Sequence, residues 1–227
     1  MRKGLTIYVG FFIIMIVFAE FILPWLTEST LKACLTNSLT AHDVSVRLSS
    51  APRFLVALGD IDRIEADAYR ADWGDISVSE LHLTGTEVKL DMPNLIKNGD
   101  VHFTSANELK LIGVITADDL RRTIEDKLTM LEDVQTNITP NLITATAKLT
   151  IFGRVAEVEL KGLVALDRGS LSFRMTDLSV RNVLPGTLDM SSMFGNFDLI
   201  DKDALILGSR FTAVEMSDGK VTITAER

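Results

Sequence analysis

Residues that could take part in catalysis or bind a metal are scarce in this sequence. The chain contains three histidines and one cysteine, namely His42, His82, His102 and Cys34. The histidine spacing matches no zinc-binding motif, and a single thiol excludes a site built from several thiolates. No G-x-S-x-G, G-x-G-x-x-G, phosphate-binding loop or H-E-x-x-H motif is present. We therefore expect no catalysis, no metal and no cofactor; Cys34 fits a small buried thiol on a helix.

An apolar segment at the N-terminus indicates where the rest of the chain functions. Arg2 and Lys3 precede a run of 22 residues, Leu5 to Leu26, in which Glu20 is the only charge. A helix rises 1.5 Å per residue, so about 20 residues cross a hydrocarbon core of ~30 Å. Because cations flanking a span tend to stay in the cytoplasm, the residues after Leu26 are expected on the extracytoplasmic side.

Two other interpretations of this segment remain open. Val17-Phe18-Ala19 fits a signal-peptide cleavage site, but the apolar run continues well beyond it. We therefore prefer a retained single-pass anchor, residues 1–26, followed by one extracytoplasmic domain, residues 27–227. Lys3-Gly4 before an apolar helix also resembles the processing site of type IV pilins, although Val9 stands where that family carries glutamate.

The charge balance excludes some partners. The formal net charge is −8, and the first 26 residues carry +1, which leaves −9 for residues 27–227. Nucleic-acid binding depends on Lys and Arg that neutralise phosphates, so no nucleic-acid partner is expected. The same acidity disfavours broad attraction to anionic lipids, and any lipid contact should be mainly apolar. One cysteine forms no intrachain disulfide, so stability must come from a packed core.

Apolar spacing predicts two helical segments soon after the anchor. Leucines at four-residue spacing indicate a helix from about Glu28 to Thr40. The next segment, RFLVAL, follows Pro52 and ends at Gly59, which predicts a short helix. It is apolar on nearly every side and fits either a core plug, or a lid or membrane-facing tip.

The remainder is predicted to be mainly strands with one further long helix. Alternation from Ile76 to Leu90 slips near Glu80 and near Gly85, which indicates bulges that bend a strand. Thr116 and Asp119 fit a capping box, and an apolar stripe predicts a helix that continues to about Asp133. Asp218-Gly219 predicts a hairpin near the C-terminus. Asn182–Leu199 is apolar, rich in turn residues, and fits a long loop or short helix.

Two stretches resemble the LmeA-type phospholipid-binding proteins, a bacterial family. They are SAPRFLVALGDIDRIEADA, Ser50–Ala68, and TADDLRRTI, which begins at Thr116. The resemblance covers about residues 27–226 and implies a fold like the tubular lipid-binding superfamily. That fold is α+β, with a strongly curved antiparallel sheet wrapped around a long helix, and it encloses an apolar tunnel. The resemblance transfers no catalytic residue.

The resulting hypothesis is a membrane-anchored, extracytoplasmic protein that binds a phospholipid or another acyl-chain lipid. A role in lipid transfer or envelope maintenance would follow. A non-catalytic scaffolding protein of the envelope, pilin-like or an interaction module, is the alternative, and a hydrolase ranks third. The candidate residues line the expected cavity or its mouth: Phe54, Leu55, Leu58, Leu120, Ile124, Leu128, Leu131, Met190, Met193, Phe194 and Phe197.

Overall fold

The computed structural model describes residues 11–227 except 75, 152–153, 168, 182–196 and 202–204. The architecture is α+β with mostly antiparallel strands and a sheet that curls into a half-barrel, as the sequence predicted. The chain divides into two compact units. The first contains the described residues up to Ala68, His82–Lys110 and Arg227, and the second contains Tyr69–Leu81 and Leu111–Glu226.

The helices begin with one long apolar element. Helix α1, Phe11–Ser38, includes a π-helical turn at Phe18–Ile22. The described part of the anchor segment, from Phe11, and the amphipathic helix expected after it are therefore one continuous helix. Helix α2 is Met92–Asn98 and helix α3 is Ala117–Lys127; short 3-10 turns occupy Arg53–Leu58 and Ile206–Gly208.

The described strands form two sheets. The first has the order β1-β2-β3-β5-β12-β11, with β4 paired to β3, and the second has the order β10-β9-β8-β7-β6. The strands are β1 Asp43–Ser49, β2 Asp60–Trp73, β3 Ile76–Leu90, β4 Phe103–Ser105, β5 Glu108–Thr116, β6 Leu131–Ile138, β7 Ile143–Ile151, β8 Arg154–Asp167, β9 Ser170–Arg181, β10 Phe197–Ile200, β11 Arg210–Ser217 and β12 Lys220–Glu226.

The irregularities predicted for the long strands are present. In β3 the buried positions change parity at Glu80 and again at Glu87, whose φ is 48°. Strand β2 has a similar break at Arg70, with φ 50°, that the sequence pattern did not indicate. Each break lets both halves of a long strand keep their apolar side chains on the buried face while the strand bends.

Local turn signals also hold. The 3-10 turn at Arg53–Leu58 ends at Gly59, whose φ is 89°, and α2 ends at Gly99, whose φ is 72°. Strands β11 and β12 form the hairpin predicted at Asp218-Gly219. These conformations favour glycine because a Cβ would crowd the backbone.

Helix α3 begins as predicted but ends early. Thr116 and Asp119 form the expected capping box. The helix then stops at Lys127, and Leu131 begins β6, so the predicted continuation to Asp133 is wrong. The three- and four-residue spacing of apolar residues persists past the real end of the helix. Pairing of β6 with β7, however, gives the backbone from Leu131 a different set of hydrogen bonds.

Candidate functional site

One side of the second sheet carries a cluster of apolar side chains that the protein covers only in part. Its buried members are Leu149 and Val158, which are 6% and 3% exposed. Around them lie six half-buried side chains. Together these eight residues are called the apolar face: Leu128, Leu131, Leu149, Val158, Leu160, Met175, Leu178 and Val180. Large apolar side chains that stay half-covered in one cluster can accept an apolar ligand.

Strand register builds this face. Leu160 lies between Ala145 of β7 and Leu178 of β9, and Val158 lies between Ala147 and Val180. Because side chains one residue apart point to opposite sides of a sheet, these cross-strand rows fall on the same side. The alanines are small, and they leave room between the larger side chains.

The end of α3 brings two predicted residues to the apolar face. Leu128 N donates to Ile124 O at 2.8 Å, and Leu131 N donates to Leu128 O at 2.9 Å. This tight turn joins the helix to β6. Leu128 directly follows the last helical residue and Leu131 begins β6, and both side chains belong to the cluster. Their grouping was predicted correctly, but through a helical stripe that does not extend so far.

The other two residues of that stripe are buried in the protein. Leu120 is 2% exposed and Ile124 is 9% exposed. Both side chains take part in core packing and help to hold α3 in place.

A polar cluster fixes the start of α3. The Asp119 carboxylate is 1% exposed and accepts from Thr116 N at 2.8 Å and Thr116 Oγ1 at 2.7 Å. It also accepts a hydrogen bond from Ser79 Oγ and pairs with Arg122 Nη2 at 2.8 Å. Buried carboxylates need such partners, and here they tie α3 to the neighbouring strand β3.

The other predicted residues lie elsewhere in the chain or outside the described residues. Phe54 and Leu55 are half-buried and Leu58 is 67% exposed, all on the 3-10 turn of the first unit. Phe197 belongs to β10, where its backbone pairs with Phe173, so the predicted loop to Leu199 is wrong at its end. The last three predictions lie outside the described residues: Met190, Met193 and Phe194.

The opposite side of the second sheet is charged. Asp133, Lys148, Glu157, Glu159 and Arg181 are among the residues that line a depression of about 690 Å³. Lys148 Nζ lies 2.7 Å from Asp133 Oδ2, and this hydrogen bond, with the charge of Asp133, raises the pKa of Lys148. Arg181 Nη2 lies 3.6 Å from Glu159 Oε2. Both cations that line the depression therefore have carboxylate partners.

Ser45, Asp67 and His82 are in contact, but not in the order of a catalytic triad. Asp67 accepts from Ser45 Oγ at 3.1 Å and contacts His82 Nδ1 on its other carboxylate oxygen. In a catalytic triad the imidazole lies between hydroxyl and carboxylate, whereas here the carboxylate lies in the middle. Cys34 is a half-buried free thiol. Among the described residues, no group of three or more potential metal ligands occurs.

Comparison with models of known protein families assigns the chain to a family. The profile of the LmeA-like phospholipid-binding family matches residues 18–226. The chain belongs to this family. No curated protein and no solved structure matched it. Membership in the LmeA-like family supports lipid binding, and it agrees with a site that offers half-covered apolar surface in place of catalytic groups.

Six residues of the apolar face were missed in the search for an LmeA-like lipid site. They come from β7, β8 and β9: Leu149, Val158, Leu160, Met175, Leu178 and Val180. Their alternation with polar neighbours was visible and predicted strands, but it gave no indication that these positions differ from core. A possible signal was the alignment of alanines opposite them, and that signal needs the strand register.

Proposed function

We propose that this protein is a non-enzymatic, membrane-anchored phospholipid-binding protein whose extracytoplasmic part holds acyl chains on the apolar face. Family membership supports the ligand class. The position of the site is inferred from one observation, the half-buried apolar side chains around Leu149 and Val158. Transfer of lipid between membranes, or upkeep of the envelope, is the role that such binding would serve.

The free energy available is adequate for an acyl chain. Each methylene moved out of water contributes about 0.8 kcal/mol. If a chain covered roughly 300 Å² of the apolar face, burial at about 25 cal/mol per Å² would contribute around 7 kcal/mol before the entropic cost of ordering the lipid. Binding of that size is reversible, as a carrier requires.

The anchor part of the proposal depends on α1. In the described part of the chain, α1 is the helix long and apolar enough to cross a membrane, with 28 residues and a mean hydropathy of 1.9 in its best window. Side chains at its start are exposed, from 64% at Phe11 to 49% at Val17. Arg2 and Lys3 before it favour a cytoplasmic N-terminus.

The decisive experiment combines a variant on the apolar face with a matched control. The full-length protein is purified from membranes in detergent and examined by native mass spectrometry for bound phospholipid. Leu178→Asp places a charge on the apolar face, whereas Ser179→Asp places the same charge one residue away on the opposite side of β9. We expect Leu178→Asp to lose bound lipid and Ser179→Asp to keep it, with circular dichroism confirming that both are folded.

A second assay addresses transfer. The wild-type protein in donor liposomes should deliver a fluorescent phospholipid to acceptor liposomes, and Leu178→Asp should not. If the folded wild-type chain neither carries nor extracts lipid, the binding proposal is wrong, and the scaffolding function takes its place. Protease added to spheroplasts tests topology, because an extracytoplasmic domain should be digested while the membranes remain intact.

A further inference from the structure

Contacts of α1 establish which end of the first unit faces the anchor. Going from the C-terminal part of α1 toward its N-terminal part, successive side chains meet successively later residues of the following chain. The contacts are Lys32 Nζ to Asp43 Oδ1 at 3.8 Å, Leu48 N to Glu28 Oε1 at 3.0 Å, and Arg53 N to Glu20 Oε2 at 3.1 Å. The 3-10 turn Arg53–Leu58, here called the tip, therefore starts beside the part of α1 that enters the apolar run.

The position of Glu20 in that run gives the depth of the tip. A span of about 20 residues counted from Leu5 ends near Pro24. Glu20 comes about four residues earlier, which is about 6 Å at 1.5 Å per residue. The Arg53 N–H that contacts it must then lie close to the outer boundary of the hydrocarbon core. A retained anchor therefore leaves no room for a water layer between the start of the tip and the lipid.

The same contact accounts for a charge in an apolar helix. A carboxylate within a membrane span is costly unless it is paired or faces protein. Glu20 lies in the π-helical turn of α1, and the backbone N–H of Arg53 gives its carboxylate a partner. Turns of this kind inside α-helices often occur at functional sites. Glu20 thus acts as a positioning residue for the tip.

The composition of the tip suits a lipid interface. Leu58 is 67% exposed, and Phe54 and Leu55 are half-buried. On α1 itself Phe21 is 63% and Trp25 62% exposed, so an apolar surface runs from the anchor past the level of Glu20. Arg53 is exposed and can reach headgroup phosphates.

We propose that the tip inserts into the outer interface of the anchoring bilayer, with Leu58 as its leading apolar contact and Glu20 holding it against α1. The proposal rests on the proposed function because it requires a retained anchor. Elements that lie in the interface bury their apolar side about 5–10 Å into the headgroup and acyl boundary, which matches the depth derived from Glu20. The partner is the bilayer itself.

Fluorescence quenching measures this directly in the full-length chain. In a Cys34→Ser background, Leu58→Cys is labelled with an environment-sensitive dye and the protein is reconstituted in phosphatidylcholine–phosphatidylglycerol liposomes. Phe18→Cys, in α1, is the control for a label inside the membrane span. Asn37→Cys is the control for a label in water, because Asn37 is exposed and lies about 17 residues beyond Glu20. With lipids spin-labelled near the headgroup, we expect the Leu58 label to be quenched about twofold or more relative to Asn37.

Each result separates the two proposals. If Phe18 is quenched and Leu58 is not, the tip inference is overturned while the anchor stands. If neither is quenched, the anchor in the proposed function fails as well. A blue-shifted but unquenched Leu58 label would mean that protein covers the tip, and it also overturns the inference.

The role of Glu20 is tested by two substitutions. Glu20→Gln keeps an oxygen that accepts from Arg53 N, and it should keep the quenching of the Leu58 label. Glu20→Ala removes the acceptor, and quenching should fall toward the level at Asn37 while Phe18 stays quenched. Unchanged quenching in Glu20→Ala would overturn the positioning role of Glu20.

Discussion

Replacement of Asp119 by alanine should destabilise the second unit strongly. The Asp119 carboxylate is 1% exposed and has partners on three residues, Thr116, Ser79 and Arg122. Its removal leaves the Thr116 N–H without an acceptor, leaves the Ser79 and Thr116 hydroxyls only each other, at 3.2 Å, and ends the reciprocal capping box of α3. Each buried group left unpaired costs about 1–3 kcal/mol. The ion pair adds less, because the Arg122 side chain is 44% exposed.

These contributions overlap, so the expected loss is about 3–5 kcal/mol in the free energy of unfolding. Asp118→Ala is the matched control, because Asp118 lies in the same first helical turn with a side chain that is 80% exposed. It loses a favourable position at the helix N-terminus and an exposed ion pair with Arg121, whose Nε lies 3.7 Å away, so its cost should stay below about 1 kcal/mol. Asp119→Asn keeps one acceptor and should fall between the two.

The assay is urea unfolding of the full-length protein in detergent, followed by tryptophan fluorescence. The chain has two tryptophans, Trp25 and Trp73, and a Trp25→Phe background leaves Trp73 as the reporter. Trp73 is 4% exposed and belongs to the same unit as α3. Equal midpoints for Asp119→Ala and Asp118→Ala would refute the reasoning, because α3 would then be held by its apolar contacts alone.

Three smaller predictions use the same assay. Gly162→Ala would place a Cβ 2.3 Å from Phe173 Cζ, so it should cost about 1–3 kcal/mol or more; an unchanged midpoint would mean that the ring moves freely. Leu128→Ala should lower the free energy of unfolding by less than about 2 kcal/mol, which is below the range for a fully buried leucine, because Leu128 is only half-buried. A larger loss would contradict that partial exposure. The pKa of Lys148 is raised by Asp133, so their pair stabilises the fold below the unfolded-state pKa of lysine and ceases to do so as pH rises through the folded-state value. The midpoint difference between wild type and Lys148→Met should therefore shrink at strongly alkaline pH, and an increase there would contradict the ion pair.

Local signals in the sequence were sufficient for the beginnings and ends of several elements. The capping box at Thr116 and Asp119, the glycine at the end of the tip, and the Asp218-Gly219 hairpin each depend on residues within a few positions of one another. The parity changes in β3 are also visible along a single strand. Such features follow from steric and hydrogen-bonding rules that act over one turn or one strand.

Contacts between distant parts of the chain were not predictable in this way. Glu20 appeared in the sequence as an isolated acid in an apolar run, and its partner Arg53 N comes 33 residues later. The end of α3 was misplaced for a related reason, because the strand at Leu131 forms by pairing with β7. In both cases the deciding interaction joins segments that no local pattern connects.

The proposed lipid site also depends on contacts that no local pattern reveals. Leu160 and Val164 are apolar residues of the same strand, β8. Val164 pairs with the buried Phe173 and is 6% exposed, whereas Leu160 pairs with Leu178 and is only half-buried. The sequence marks both as apolar positions of a sheet, because burial by the protein and burial by a lipid select the same side chains. What distinguishes them is the surface that the folded chain leaves uncovered, and a bound acyl chain would complete the burial that Leu160 and Leu178 lack.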